Sequence, residues 1–309
     1  MKLYGVLHNL EDGKLTVRQP KLLKVAIGLG AKCKDVHVHI GPTGDWILTV
    51  GGKLTKLANK VTCVEAYRQA LASAPERRAP KKLPYFTFTR PGPEGYEPDF
   101  DAIEAHGPMP KEIEIALYGT LDEIFRPEYQ QWGTRELQCH GDGAKAQRLA
   151  TLARTPEEKA RCVEGQRYFP IEGCCLGGCK AAQGDTPACK PHASFYFQLV
   201  NFPVTGGSIS YDTTGYAGIK ALGSVLENCI VAGESVDGML FTMGLKAYVP
   251  RKGSGTAYHA TLRPVATSVG GLTPPAIIIP PSLEMLTPEE MSDAAQAYNA
   301  EFVSGGAEV

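Results

Sequence analysis

"ASFYFQLVNFPVTGGSISYDTTGYAGIKALGSVLENCI", Ala193 to Ile230, decides the architecture. Its first half reads as two strands joined at Thr205-Gly206-Gly207, apolar and polar residues alternating on either side of the turn. Its second half changes period. Tyr216, Ile219, Leu222, Leu226 and Ile230 recur every three or four residues, which predicts an amphipathic helix. Downstream, "MLFTMGLKAYVPRKGSGTAYHATLRPVA" from Met239 predicts a hairpin with "PRKGSG" at its tip.

Upstream, "KEIEIALYG" (111–119) alternates as a strand, "PDFDAIEAHG" (98–107) is a short helix closed by Gly107, and "YFTFTR" (85–90) is a short strand running into a turn-rich stretch. Nearer the start, "KLLKVAIGL" and "DVHVHIGPTGDWILTVGG" read as strands, with "GPTGD" turning between the halves of the second. Residues 54–73 place Leu57, Val61, Val64 and Ala70 near helical spacing and predict one amphipathic helix. Between 139 and 191 periodicity is weak. One helix is expected there, opened by a capping box of Thr155 and Glu158. A Pro-rich linker, "GGLTPPAIIIPP", precedes a tail helix capped by Thr287, Pro288 and Glu290. The expected fold is α+β: an antiparallel β-rich core, a cysteine-rich zinc-binding insertion and a few helices. Its parts are a basic β-rich region (1–79), a central domain (80–271) and a linker with an acidic tail (272–309).

A net charge of −1 hides an asymmetry: residues 1–90 carry 16 Lys and Arg against 6 Asp and Glu, and the remainder 16 against 27. The last 38 residues hold six acids and no base. A basic front predicts a polyanionic partner, and an acidic end suits a solvated or partner-binding tail. The N-terminal stretch lacks the apolar core of a signal peptide, and no apolar run approaches the roughly 20 residues that span a bilayer. The expectation is a cytoplasmic protein with no membrane partner, in a compartment where thiols stay reduced.

Four of the nine cysteines fall within sixteen residues, in "GCCLGGCKAAQGDTPACKP" (173–191). Adjacent Cys174 and Cys175 are poorly disposed to bond to each other, because a disulfide needs Cα atoms about 4.4–6.8 Å apart in a suitable orientation. Structural zinc instead takes four thiolates or imidazoles from sharply bending loops, and "CLGGC" supplies such a bend. The expected ligands are Cys174, Cys179 and Cys189, with Cys139 or Cys162 as the fourth and His140 and His192 as further candidates. A redox role and plain burial are the competing readings. Cys33, Cys63 and Cys229 lie in strand or helix runs and read as small core residues.

The ordered series "YFTFTR", "AHGPMPKEIEIAL", "ELQCHGDG", "GCCLGGC", "ACKPHASFYFQL", "GSISYDTTGYAGIKALGSVL" and "GTAYHATLRP" resembles the phage recombination directionality factor-like proteins, some of them described only as hydrolase or metal-binding protein. The resemblance covers about residues 80–265 and leaves the front and the tail outside. It implies a zinc-binding domain that acts in DNA recombination without cutting DNA, binding a serine integrase on attachment-site DNA to promote excision. It also implies cysteines matching Cys139, Cys174 or Cys175, Cys179 and Cys189, which favours Cys139 over Cys162. "TLARTPEEKARCVEGQRY" departs from the pattern and brings its own cysteine.

Two other functions compete. "ERRAPKKLPYFTFTR" mixes bases with aromatics, so Arg77, Arg78, Lys81, Lys82, Tyr85, Phe86 and Arg90 are candidate DNA contacts. The chain could then be a single-stranded DNA-binding protein of a phage replication or recombination module. "SFYFQLVNF" adds Phe195, Tyr196, Phe197 and Phe202, though alternation puts some of these in the core. His37 and His39 share one strand face with Asp45 nearby, the opening of some metal-dependent hydrolases. No H-E-x-x-H, G-x-S-x-G, P-loop or dinucleotide fingerprint accompanies them, and two imidazoles on a polar sheet face are the blander account. Asp142, between glycines, suits a turn better than an active site.

Overall fold

A computed structural model gives the fold and describes residues 10–11, 14–15, 21–28, 34–76, 82–92, 95–133, 136–143, 145–172, 181, 188–249 and 256–265. The chain divides into two units, Met1–Leu272 and Thr273–Val309. The described residues all belong to the first, so the tail helix expected after Thr287 lies outside them, as do the whole "PRKGSG" tip and Cys33.

The front carries a minimal hairpin, β1 (Leu10–Glu11) with β2 (Lys14–Leu15), and then β3 (Lys21–Ala26). β4 (Val36–Ile40), β5 (Trp46–Val50) and β6 (Lys53–Leu57) form a small antiparallel sheet. α1 (Lys60–Ser73) follows. This corrects the single helix expected over 54–73. Lys53 to Leu57 pair with β5, and the helix starts only after Asn59, whose side chain accepts from the Thr62 backbone in a reciprocal capping box. The buried residues of α1 are Cys63 and Tyr67, four apart, whereas Val61 is 67% exposed.

The strand expected at 85–90 is present as β7 (Thr87–Gly92); it pairs in a hairpin with β8 (Gly95–Pro98), which falls where turns were expected, and α2 (Phe100–His106) follows. Asp99 caps α2 through Ala102 N–H, and Gly107 ends it at φ +68°, a conformation that suits glycine. Phe100 packs against both Trp46 and Tyr67 (centroids 6.1 and 5.8 Å) and His106 stacks on Phe88 of β7 at 4.4 Å, so α2 ties the small sheet to the strand pair β7–β8.

The rest of the unit is β9 (Glu112–Ala116), α3 (Leu121–Ile124), β10 (Phe125–Trp132), β11 (Leu137–Gly141), β12 (Lys145–Leu149), α4 (Pro156–Ala160), β13 (Tyr168–Glu172), β14 (Cys189–Leu199), β15 (Ser208–Thr213), α5 (Tyr216–Val231), β16 (Leu240–Tyr248) and β17 (Ala257–Pro264). Among the described residues a 12-stranded sheet runs β13-β12-β11-β10-β14-β15-β3-β7-β8, with β9, β16 and β17 branching from the far end of β14. Every pairing in it is antiparallel except β15 with β3. The α+β class and the antiparallel core are as expected. Although periodicity is weak between 139 and 191, β11, β12 and β13 form a wing that overlaps this stretch, and the capped helix expected there is α4.

The core collects where the two branches of the sheet meet α5. Phe195, Leu199, Ile209, Leu222, Leu226 and Phe241 are fully buried. α5 lies close enough to the sheet that a Cβ at Gly223 would stand 3.2 Å from the Phe125 ring. Leu222 and Leu226 point inward as expected, but Gly218 and Cys229 complete the buried stripe, and Tyr216 is 69% exposed. Burial pushes the Cys63 thiol up to about 11 and raises that of Cys229, so both behave as inert core residues.

Candidate functional site

β14 has two faces with different chemistry. Cys189, Ala193, Phe195 and Phe197 are buried on one side, while Lys190, His192, Ser194 and Tyr196 alternate with them on the other. Carried across the wing by strand register, the first face holds a row in which Cys189 opposes Gln131, Gln131 opposes Cys139, Cys139 opposes Arg148, and Arg148 opposes Phe169. Cys139 and Cys189 therefore project to the same side at the same level, flanking one glutamine. Cys162 lies outside the paired strands, just after α4, and its Sγ donates to the Glu158 carbonyl at 3.4 Å. Glu158 in turn binds Arg148 at 3.1 Å, which brings α4 beside Arg148 in this row. Cys174, Cys175 and Cys179 lie outside the described residues.

The opposite face of the wing is organised around Trp132. A β-bulge between Gln131 and Trp132 breaks the register there, a device that re-aims a side chain. The Trp132 indole N–H donates to Gln130 Oε1 at 2.8 Å, and the Gln130 amide donates to Glu128 Oε1 at 2.5 Å. The other Glu128 oxygen meets His140 Nδ1 at 3.2 Å, and the His140 ring stands edge-on to Tyr168. Burial alone would raise the Glu128 carboxyl, but the bonds from His140 and Gln130 outweigh it and hold it below the usual carboxylate range. Burial lowers His192, which faces Glu128 across the β10–β14 pair.

Further along this face Asp212 accepts from Ser194 Oγ at 2.8 Å and pairs with Lys24 at 2.9 Å and Lys21 at 3.5 Å. Burial pushes Asp212 up, yet Lys24 and Lys21 prevail and hold its carboxyl at about 2. Because the folded value lies below the unfolded one, the stabilisation is present above about pH 4 and is lost as pH falls through 2. Asp212→Asn should therefore lower stability by about 2 kcal/mol at neutral pH, and the gap to the parent should close toward pH 2. Urea midpoints at both pH values test this. Lys21 Nζ and Arg126 Cζ stand 5.2 and 5.8 Å from the Tyr196 ring centroid, and Lys24 Nζ stands 5.1 Å from the Tyr96 ring centroid.

The residues of the basic connector divide differently. Arg77, Arg78 and Lys81 lie outside the described residues, and Lys82 is exposed. Tyr85 and Phe86 are buried, so neither ring offers a face to a base, and Arg90 pairs with Glu97 at 3.3 Å. His37 and His39 stack at 5.9 Å, and His39 packs on Tyr85. Asp45 binds Thr43 Oγ1 at 2.6 Å and Lys56 Nζ at 2.9 Å. Among the described residues no group of three or more His, Cys, Asp or Glu could hold a metal ion. Asp142 serves a turn: its carboxylate accepts from Lys145 N–H at 2.7 Å.

Residues 50–264 match the model of a family described as Gp3-like, recombination directionality factor-like. That is about 70% of the chain. The chain belongs to this family. In this directionality factor-like protein the matched region runs from the last residue of β5 to the last residue of β17. It starts about 30 residues earlier than the motifs alone indicated, taking in β6 and α1. Both faces of the wing lie inside it, and β3, with Lys21 and Lys24, lies before it. No curated protein and no solved structure matches the chain. Among the described residues no helix is long and apolar enough to cross a membrane.

Proposed function

We propose that this protein acts in phage site-specific recombination as a non-catalytic partner of a serine integrase, biasing the integrase on its attachment-site DNA toward excision in the bacterial cytoplasm. The observation that carries this reading is the family match over residues 50–264. The experiment is a recombination assay with purified full-length protein, the serine integrase of the same phage and a plasmid bearing the two junction sites. Excision that appears only when the protein is present is the expected result. Unchanged junction sites, together with no co-purification with the integrase, would refute it.

The same reading includes a structural zinc ion held by Cys139, Cys189 and thiolates from among Cys174, Cys175 and Cys179. Its support is the register that sets Cys139 and Cys189 on one face at one level. Neighbouring strands lie about 4.8 Å apart, so these Cα atoms are separated by about 10 Å. Ligation at about 2.3 Å per Zn–S bond therefore requires both side chains to lean inward over Gln131. Soft thiolates suit zinc in a reducing cell. The ion's part would be a cross-link between strands, with no chemistry beyond that.

A further inference from the structure

We propose that the face of the large sheet opposite the cysteine row is a binding platform for single-stranded DNA, with Trp132 as its stacking anchor and Lys190, Arg126, Lys21 and Lys24 following the phosphates.

An exposed tryptophan is costly surface, and this one is 59% exposed while its orientation is fixed. The chain of bonds through Gln130 and Glu128 to His140 holds the indole edge, and Gln130 is itself 8% exposed. Such a relay spends buried polar groups on aiming a ring outward. A core-packing role for the ring would need neither the exposure nor the relay. Tyr196 and Tyr96 extend the aromatic surface, each with a lysine near its ring. Every nucleobase has a flat face, so spaced, outward rings on a sheet suit unpaired bases. A duplex keeps those faces stacked inside itself.

The charges agree. Two acids lie among these residues, and both are already satisfied: Asp212 by Lys21, Lys24 and Ser194, and Glu128 by His140 and Gln130. Lys190 and Arg126 have no ion pair among the described residues, and Lys190 is exposed. Trp132 and Tyr196 sit near opposite ends of the paired β10 and β14, about 27 Å apart at 3.4 Å per residue, a span suited to several nucleotides. The choice of DNA over RNA rests on the family match. The surface itself does not depend on integrase binding, and the assay contains no integrase.

Trp132 also supplies the probe. The chain has two tryptophans, and the other, Trp46, is 6% exposed. Titrating the full chain with oligo-dT longer than about 16 nucleotides should quench tryptophan emission and raise the anisotropy of a labelled strand. Trp132→Ala should abolish the quench and weaken binding about 5- to 150-fold, with Trp132→Phe recovering part of the affinity. Lys190→Gln with Arg126→Gln should weaken binding and flatten the slope of log affinity against log salt by about 1.4. An unchanged thermal midpoint for Trp132→Phe keeps the comparison free of unfolding. The proposal is overturned by no binding to oligo-dT at low salt, by equal affinity of the Trp132→Ala chain, by a duplex binding as tightly with the same dependence on Trp132, or by preference for the RNA strand of the same sequence.

Discussion

Phe195→Ala is expected to lower the free energy of unfolding by about 3–5 kcal/mol. Phe195 is fully buried at the centre of β14, paired with Phe125 on one side and Tyr211 on the other. Its ring stands edge-on to Phe125 at 6.3 Å and tilted against Phe197 at 5.3 Å, so truncation removes aromatic contacts within β14 and across to β10 and leaves a cavity in the core. For a domain stable by roughly 5–15 kcal/mol the loss takes a third or more of the total. Tyr196→Ala, one residue along on the opposite face, is the control and should cost far less. Chemical denaturation of both variants decides the point. Equal losses would mean that the two faces of β14 are wrongly assigned.

Removing metal from the full-length protein is expected to cause the largest change of any treatment. Four thiolates gripping one zinc ion contribute on the order of 10 kcal/mol, comparable with the whole stability of a domain. Freshly purified protein should contain one equivalent of zinc by elemental analysis. A strong chelator should lower its thermal midpoint steeply, and added zinc should restore it. Cys189→Ser and Cys139→Ser should each lose the ion. Cys162→Ser should keep it, since its thiol is engaged by the Glu158 carbonyl. Absence of zinc in the purified protein, or chelation without effect, would return the cysteines to a packing role.

Legibility from sequence followed burial. β14, β15 and α5 were readable because one face of each meets the core, so Phe195, Phe197, Ile209, Leu222 and Leu226 stamp a clean period on the chain. The wing was not. Every residue of β11 is half-buried, so neither face carries an apolar signature, and β10, β12 and β13 share the difficulty to varying degrees. β6 was absorbed into the following helix because Lys53 to Lys56 are all exposed and Leu54 and Leu57 happen to suit helical spacing with Val61. Local chemistry fared better than periodicity. The capping box of Thr155 with Glu158 and the glycine stop of α2 are legible because each needs only neighbours in sequence.

The site divides along the same line. That cysteines cluster near 174–189 is a fact of spacing, but the alignment of Cys139 with Cys189 across Gln131 exists only after three strands have paired. Trp132 carried no signal at all, because its aim depends on a bulge and on Gln130 and Glu128 two and four residues before it. Tyr85 and Phe86 gave a misleading one: aromatics beside arginines suggest a nucleic-acid groove, yet these two fill the interior.

The parallel pairing of β15 with β3 bears on how this chain is made. Ser208 lies against Lys21, partners about 190 residues apart in order of synthesis. A ribosome adding roughly 5–20 residues per second needs about 10–40 s to deliver the second after the first. Throughout that interval the earliest strand of the principal sheet has no neighbour on its β15 side. Nascent chains should thus need shelter from chaperones, and fragments that stop before Ser208 should aggregate.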